Sequence, residues 1–176
     1  MAEITYVRGD ATAPQGKGVK VIAHVCNDLG GWGKGVKVIA HVCNDLGGWG
    51  KGFVLALSGR WPEPEAAFRR WHRERAGNDF GLGALQLVRV EPYVWVANLV
   101  GQRGIRTGRS TGVPVRYEAI DTALAALGDH ARELGASVHM PRIGCGLAGG
   151  RWERVEPLVS ARLVERGVPV TVYDVG

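Results

Sequence analysis

Twice in this chain a strand-like run, the first of them apolar and β-branched, stops at a cluster of glycines and then passes directly into a helical pattern. One passage reads VKVIAHV, CNDLGGWGKG, FVLALSGRW and ends at residue 61. The other reads SVHM, PRIGCGLAGG, RWERVEPLVSARLVERG and starts at residue 137. β-branched residues suit a pleated, buried surface, and a helix that follows at once lies back over it. Such units build an α/β sandwich rather than a bundle or an all-β fold. The other segments agree. EITYVRGD (3–10), ALQLVRVEP (84–92), YVWVANLV (93–100) and PVTVYD near the end read as strands, the middle two joined through Glu91 and Pro92. EPEAAFRRWHRERA (63–76) reads as a surface helix anchored by Phe68 and Trp71. Residues 115–134 place Ile120, Leu124, Leu127, Ala131 and Leu134 at alternating spacings of four and three, the mark of an amphipathic helix. In the last helix Pro157 is tolerable only in the first turn. The expectation is one domain over 1–176, with a mixed sheet between helices.

Residues 19–35, VKVIAHVCNDLGGWGKG, return letter for letter at 36–52. A solenoid stacks several diverged units, so one perfect tandem copy reads as a duplication and not as architecture. His24, Cys26, His41 and Cys43 look like four soft metal ligands. The second pair exists only by copying, and alternate residues of one strand share a face, where a core His and a small buried Cys are ordinary. No metal is expected. The second copy is expected to be the working one, because only it runs straight into FVLALSGRW. The spare residues then fall between the first strand and this one.

The 176 residues suffice for one core without staples, and the three cysteines do not make a disulfide framework. No stretch is apolar enough to span a bilayer and no charged-then-apolar leader opens the chain, so a cytoplasmic protein with no membrane partner is expected. The net charge of +5 suits an anionic ligand. A nucleic-acid partner is disfavoured, since the RGIRTGR stretch at 103–109 reads as a solvated rim.

Glycines at the mouth of a helix let backbone N–H groups aim at one point, where the helix dipole adds positive charge. Two such loops at neighbouring strand ends make a cleft for a diphosphate. Gly144, Gly146 and Gly149 also spell G-x-G-x-x-G, with Asp174 at the end of the next strand. A dinucleotide domain needs further strands after this unit, so no nicotinamide or other cofactor is expected. Cys145, at a helix start but without a histidine partner, reads as structural.

Taken together, ITYVRGDAT, AHVCNDLGGWGKGFVLAL, the GALQLVRV and YVWVANLV pair, YEAIDTALAAL, MPRIGCGLAGGRWERV and VTVYD resemble the macrodomains from about residue 3 to 174. The likeness is greatest to the small stand-alone hydrolases that remove terminal ADP-ribose from glutamate. The resemblance implies a three-layer α/β/α fold with a mixed central sheet, and ADP-ribose or ADP-ribosylated proteins as partners. By the same resemblance Asp10, with Ala11 beside it, holds the adenine. Gly47, Gly48, Trp49, Gly50, Lys51 and Gly52 wrap the diphosphate and distal ribose; Trp49 (or its copy Trp32) either packs on that ribose or, as a loop tryptophan more often does, caps the core. Arg142, Ile143, Gly144, Cys145, Gly146, Leu147 and Ala148 close over the phosphates from the other side.

The chain departs from the eukaryotic members of that branch at two places. Gly101 or Gln102 stands where they carry a catalytic lysine, and Ala148 where they carry an aspartate. Arg103, Arg106 and Arg109 do not substitute, because a guanidinium stays protonated and forms no Schiff base. The remaining candidates for catalysis are Asn44 and Asp45, orienting a water near the distal ribose, and Gln102 as a second orienter. Asn and Asp also simply shape turns. The implied activity is hydrolysis of mono-ADP-ribose from glutamate esters; the alternatives are an ADP-ribose reader without turnover and an ADP-ribose 1″-phosphate phosphatase.

Overall fold

The computed structural model describes residues 3–13, 35–105, 113–146 and 148–174. The first repeat copy, apart from Gly35, lies outside them, as do Arg106, Arg109 and Leu147. In chain order the elements are β1 (Thr5–Arg8), β2 (Lys37–Asn44), α1 (Phe53–Arg60), α2 (Glu63–Arg73), β3 (Leu85–Glu91), β4 (Val94–Gln102), α3 (Tyr117–Leu134), β5 (Ser137–Met140), α4 (Trp152–Arg162) and β6 (Val170–Asp174). The strands form a six-stranded sheet in the order β1-β6-β5-β2-β4-β3. All neighbours run parallel except β3, which closes one edge antiparallel to β4. The expected mixed sheet between helices is present.

Each central strand sorts its residues by the two-residue period. On β2, Val38 and Ala40 join the core beneath α3 and α4, while Ile39 and Cys43 join the core beneath α1 and α2. On β4, Ala97 and Leu99 face the first core and Val96 and Val100 the second. The first core is aliphatic: Ile120, Leu124 and Leu127 of α3 and Val155 and Val159 of α4 are fully buried. The second is aromatic, with Trp49, Trp61, Phe68 and Trp71. Each buried Leu, Ile or Phe stabilises by about 1.5–3 kcal/mol relative to exposure. A strand that must satisfy both cores has no freedom of register, because a slip of one residue exchanges its faces.

One expectation needs correction. Pro157 lies in the second turn of α4, not its first, since the helix begins at Trp152. The missing N–H falls where Glu153 would have been the acceptor, and the helix is short: it ends at Arg162, followed by a 3-10 turn over Val164–Arg166. Among the described residues no helix is long and apolar enough to cross a membrane.

The sheet order reverses around β2. The chain leaves β2 toward β4 and β3 on one side, then returns to β5 and β6 on the other. In open α/β sheets the crevice beyond the carboxyl ends of the strands at such a switch point is where ligands bind. The β2 and β5 loops border that crevice.

Candidate functional site

Lys37 pairs with Ser137 and Ile39 with His139, so β5, which stops at Met140, ends well short of Asn44 at the end of β2. The β5 loop therefore stands beside the upper part of β2. A run of backbone bonds ties the two loops together. Asp45 donates to the Gln102 carbonyl at 3.0 Å, Gln102 bridges to Val115, and Val115 donates to the Ala148 carbonyl at 3.1 Å.

The β2 loop is held mainly by side chains. The Asn44 carboxamide oxygen accepts from the Leu46 amide at 2.9 Å and the Gly48 amide at 3.1 Å, while its nitrogen donates to the Gly48 carbonyl at 2.9 Å. Asp45 Oδ1 accepts from the Gly104 amide at 2.7 Å, which fastens the loop after β4. Gln102 donates to the Gly104 carbonyl at 2.9 Å. The three residues expected to do chemistry are thus brought together, with their polar groups engaged in building the loops.

Trp49 is corrected. Its indole is only 5% exposed, lies edge-on to His41 and packs on Phe68. Its N–H points to Ser58 Oγ at 2.7 Å and the Val54 carbonyl at 3.2 Å. The large apolar surface is better hidden against the aromatic core than laid on a polar sugar, and the indole donor finds partners there. Trp49 closes the core under the loop and does not line the crevice. Gly47 and Gly48 flank it, and Gly50, Lys51 and Gly52 are exposed on the way into α1.

Gly52, just before α1, and Arg151, just before α4, give those helices no side-chain cap. The first amides of a helix have no intrahelical acceptor, so both helix starts offer donors and positive dipole ends. The β5 loop, which leads into α4, is folded by its own backbone. Cys145 donates to the Arg142 carbonyl at 3.2 Å, Gly149 to Gly146 at 3.0 Å and Gly150 to Gly144 at 2.8 Å. A β-carbon on Gly150 would lie 2.4 Å from the Gly144 oxygen, so only glycine fits. Ile143 and Ala148 are buried; Gly144 and Cys145 are half-buried and Gly146 is exposed. The Cys145 thiol donates to the Ile143 carbonyl at 3.3 Å, and burial raises its pKa despite Arg142 nearby. It is no activated nucleophile.

Asp10 is exposed at the end of β1. Its Oδ1 accepts from the Thr12 amide at 2.8 Å and the Thr12 hydroxyl at 2.7 Å, and Ala11 is buried in the same turn. The Arg142 guanidinium, expected over the phosphates, is instead bound by Asp174 at 2.7 and 3.1 Å. Where the lysine of the related hydrolases is missing, Gly101 has no space for a side chain: a β-carbon would sit 2.6 Å from Ile120.

His41 is buried, as expected of a core histidine, and His139 is a second buried polar anchor. His41 is paired with the Asn98 carboxamide oxygen, and Asn98 donates to Gln86 Oε1 at 3.0 Å. Burial lowers the His41 pKa to about 4, so the ring is neutral. His139, with Ser137 and Tyr173 each at 2.8 Å, is lowered to about 4 chiefly by burial and then by Lys37. His41 and Cys43 lie within the aromatic core, and among the described residues no three His, Cys, Asp or Glu side chains are placed to hold a metal. Asn98 four residues into β4 was the one sequence signal: a carboxamide inside an apolar strand needs a partner.

A solved macrodomain protein from Streptomyces coelicolor is 64% identical to this chain, with 99% of this chain and 100% of that one covered and a TM-score of 0.80. The chain belongs to the macrodomain family. No family model matches it. The mouse chromodomain-helicase-DNA-binding protein 1-like is 31% identical over 180 residues, covering 97% of this chain. The chain spans only 17% of the length of that curated relative. The fold is shared with a Thermosipho africanus DarTG structure in complex with ADP-ribose, at 20% identity and a TM-score of 0.62, over 78% of this chain and 38% of that one. Within the family, the two bordering loops and the uncapped starts of α1 and α4 are the candidate binding site.

Proposed function

We propose that this macrodomain binds ADP-ribose in the crevice between the β2 and β5 loops and removes mono-ADP-ribose from glutamate esters on modified proteins. The carrying observation is the pairing of two glycine loops, tied through Gln102 and Val115, each leading into a helix start without a side-chain cap. That arrangement matches a pyrophosphate, whose negative charge both dipole ends stabilise. Asp10 at the end of β1 is the acceptor proposed for the adenine amine. The sharing of this fold with a DarTG structure holding ADP-ribose supports the ligand class.

The ester linking glutamate to the ribose C1″ is labile, so positioning a water goes far toward its hydrolysis. Water adds across the ester bond, so the protein regains its glutamate carboxylate and ADP-ribose leaves. No lysine adduct forms there, because neither Gly101 nor Gln102 carries an amine. The roles left to the chain are orientation and charge stabilisation by loop amides. Asn44 and Asp45 set the loop that presents those amides; Gln102 sets the facing one. A reader without turnover is the second reading, and the use of the Asn44 carboxamide and Asp45 Oδ1 within the loops favours it.

One assay decides between them. The protein is incubated with a glutamate-ADP-ribosylated substrate, and free ADP-ribose is measured beside binding by calorimetry. Release supports the hydrolase, and binding without release supports the reader. No heat with ADP-ribose ends both. Replacing Asn44 and its copy Asn27 together should collapse turnover while binding stays measurable; unchanged turnover removes Asn44 from the mechanism.

A further inference from the structure

The β5 loop is clasped at its two ends by a cluster that no part of the binding reading uses. Arg142 is two residues past β5, and its carbonyl accepts the first turn bond of the loop, from Cys145. Trp152 is the first residue of α4, where the loop ends. The Arg142 guanidinium stacks over the Trp152 ring at 5.5 Å and over the Tyr6 ring at 5.4 Å. Its nitrogens make the two bonds to Asp174 at the end of β6. The Trp152 indole donates to the Tyr6 hydroxyl at 2.9 Å, and that hydroxyl donates to Glu156 in the first turns of α4. One cation thus joins the start of the loop, its end, β6 and β1, the strand that delivers Asp10.

We infer that Arg142 is a positioning residue: its stack with Trp152 and Tyr6 sets the β5 loop against the Asp10 turn before any ligand arrives. The inference rests on the proposed ADP-ribose site. A guanidinium suits the task because it is planar, stacks on aromatic faces and binds a carboxylate through two parallel bonds; an ammonium is attracted to both partners but has no flat face to stack and no paired donors. The partners are exposed, with Arg142 at 42% and Asp174 at 41% side-chain accessibility, so the ion pair adds little to global stability. What it supplies is local. A loop whose ends are held apart from the ligand loses less freedom on binding, and the amides it carries need no rearrangement.

The test combines two measurements on the full chain. Affinity for ADP-ribose is read by calorimetry, and hydrogen exchange is followed at the β5 and β2 loops of the free protein. Arg142→Met should weaken ADP-ribose binding by roughly tenfold and speed exchange between Ile143 and Gly150, while the β2 loop and the unfolding midpoint stay put. Arg142→Lys should recover only part of both effects. Trp152→Phe, which keeps a stacking face but loses the bond to Tyr6, should fall between. If Arg142→Met binds as wild type does, the inference fails. It also fails if binding weakens while loop exchange is unchanged, since that marks a direct ligand contact. Should Arg142→Met fail to fold, Asp174→Asn takes its place with the same outcomes. Absence of ADP-ribose binding in the wild type overturns the functional reading alone, because the exchange measurement still decides whether the clasp holds the loop.

Discussion

The two loops that border the crevice look alike in sequence and are built on different principles. The β5 loop is a backbone object. Its turns close amide to carbonyl, Gly150 to Gly144 and Gly149 to Gly146, and Gly150 packs where no β-carbon fits. The β2 loop is a side-chain object. Asn44 closes it with three bonds, Asp45 pins it to Gly104, and Trp49 anchors it in the aromatic core. Its later glycines, Gly50 and Gly52, have nothing within 4 Å of a β-carbon and serve only their positive φ of 77° and 89°. A loop made by backbone contact tolerates no substitution at its crossing point. A loop made by side chains yields in steps.

The sharpest way to break the comparison is Gly150→Val. Its β-carbon meets a carbonyl oxygen at 2.4 Å, which no rotamer relieves. The expected cost is more than about 4 kcal/mol, enough to leave little folded protein. Urea unfolding checks this. A midpoint near that of the wild type would show that the β5 loop moves aside, and the contrast with β2 would disappear.

Acid probes the strands beneath the loops. His41 sits on β2 under Trp49, and His139 on β5. Both folded pKa values lie near 4, below the ordinary 6.5. The unfolded chain therefore binds protons that the folded one refuses. Stability is full above about pH 6.5 and is lost as pH falls toward 4. Each histidine accounts for up to roughly 3 kcal/mol of that loss. His139→Gln should flatten the acid limb of a stability-versus-pH curve by up to half. An unchanged limb would mean that His139 takes up its proton while folded.

Much of this was legible in the sequence, for a physical reason. Apolar, β-branched runs mark β2 and β4 and the helical period marks α3, because both faces of β2 and β4, and the stripe Ile120, Leu124, Leu127 of α3, must be buried. The loops were legible as glycine clusters, yet not their inner construction. No period runs through NDLGGWGKG to say which way Trp49 turns, and competition between core and crevice decides it. The clasp of Arg142 was invisible because its partners, Tyr6 and Asp174, lie far along the chain and meet only when β1 and β6 pair. Pro157 was misplaced by one turn because the start of α4 has no side-chain cap to mark it.

Asn44→Ala sharpens the side-chain half of the contrast. Three bonds disappear, and the Leu46 and Gly48 amides lose their acceptor. A cost of about 2 kcal/mol is expected, smaller than at Gly150 because lost hydrogen bonds cost less than a clash of backbone atoms. Asn44→Asp keeps the acceptor and loses only the donor to Gly48, so it should recover about half. Equal losses for the two variants would place the weight on the donor bond and not on the gathered amides.

Gly47→Ala gives the smallest effect and the finest discrimination. At φ 77° an alanine is strained by about 1 kcal/mol wherever it stands. Its β-carbon would also fall 2.3 Å from the His72 ring, which must move. Unlike the Gly144 carbonyl, that ring belongs to a side chain on α2 that is partly exposed and held by its edge-on contact with Phe80. The two contributions separate in a double-mutant cycle with His72→Ala. If the loop yields in steps, the Gly47→Ala cost in the His72→Ala background shrinks to the backbone strain alone, about 1 kcal/mol, measured by urea unfolding. If it stays as large as in the wild type, His72 already gives way at no cost and the strain of the left-handed backbone explains the whole loss. A cost equal to that of Gly150→Val would instead make Gly47 a second backbone-locked position, and the two loops would differ in degree only.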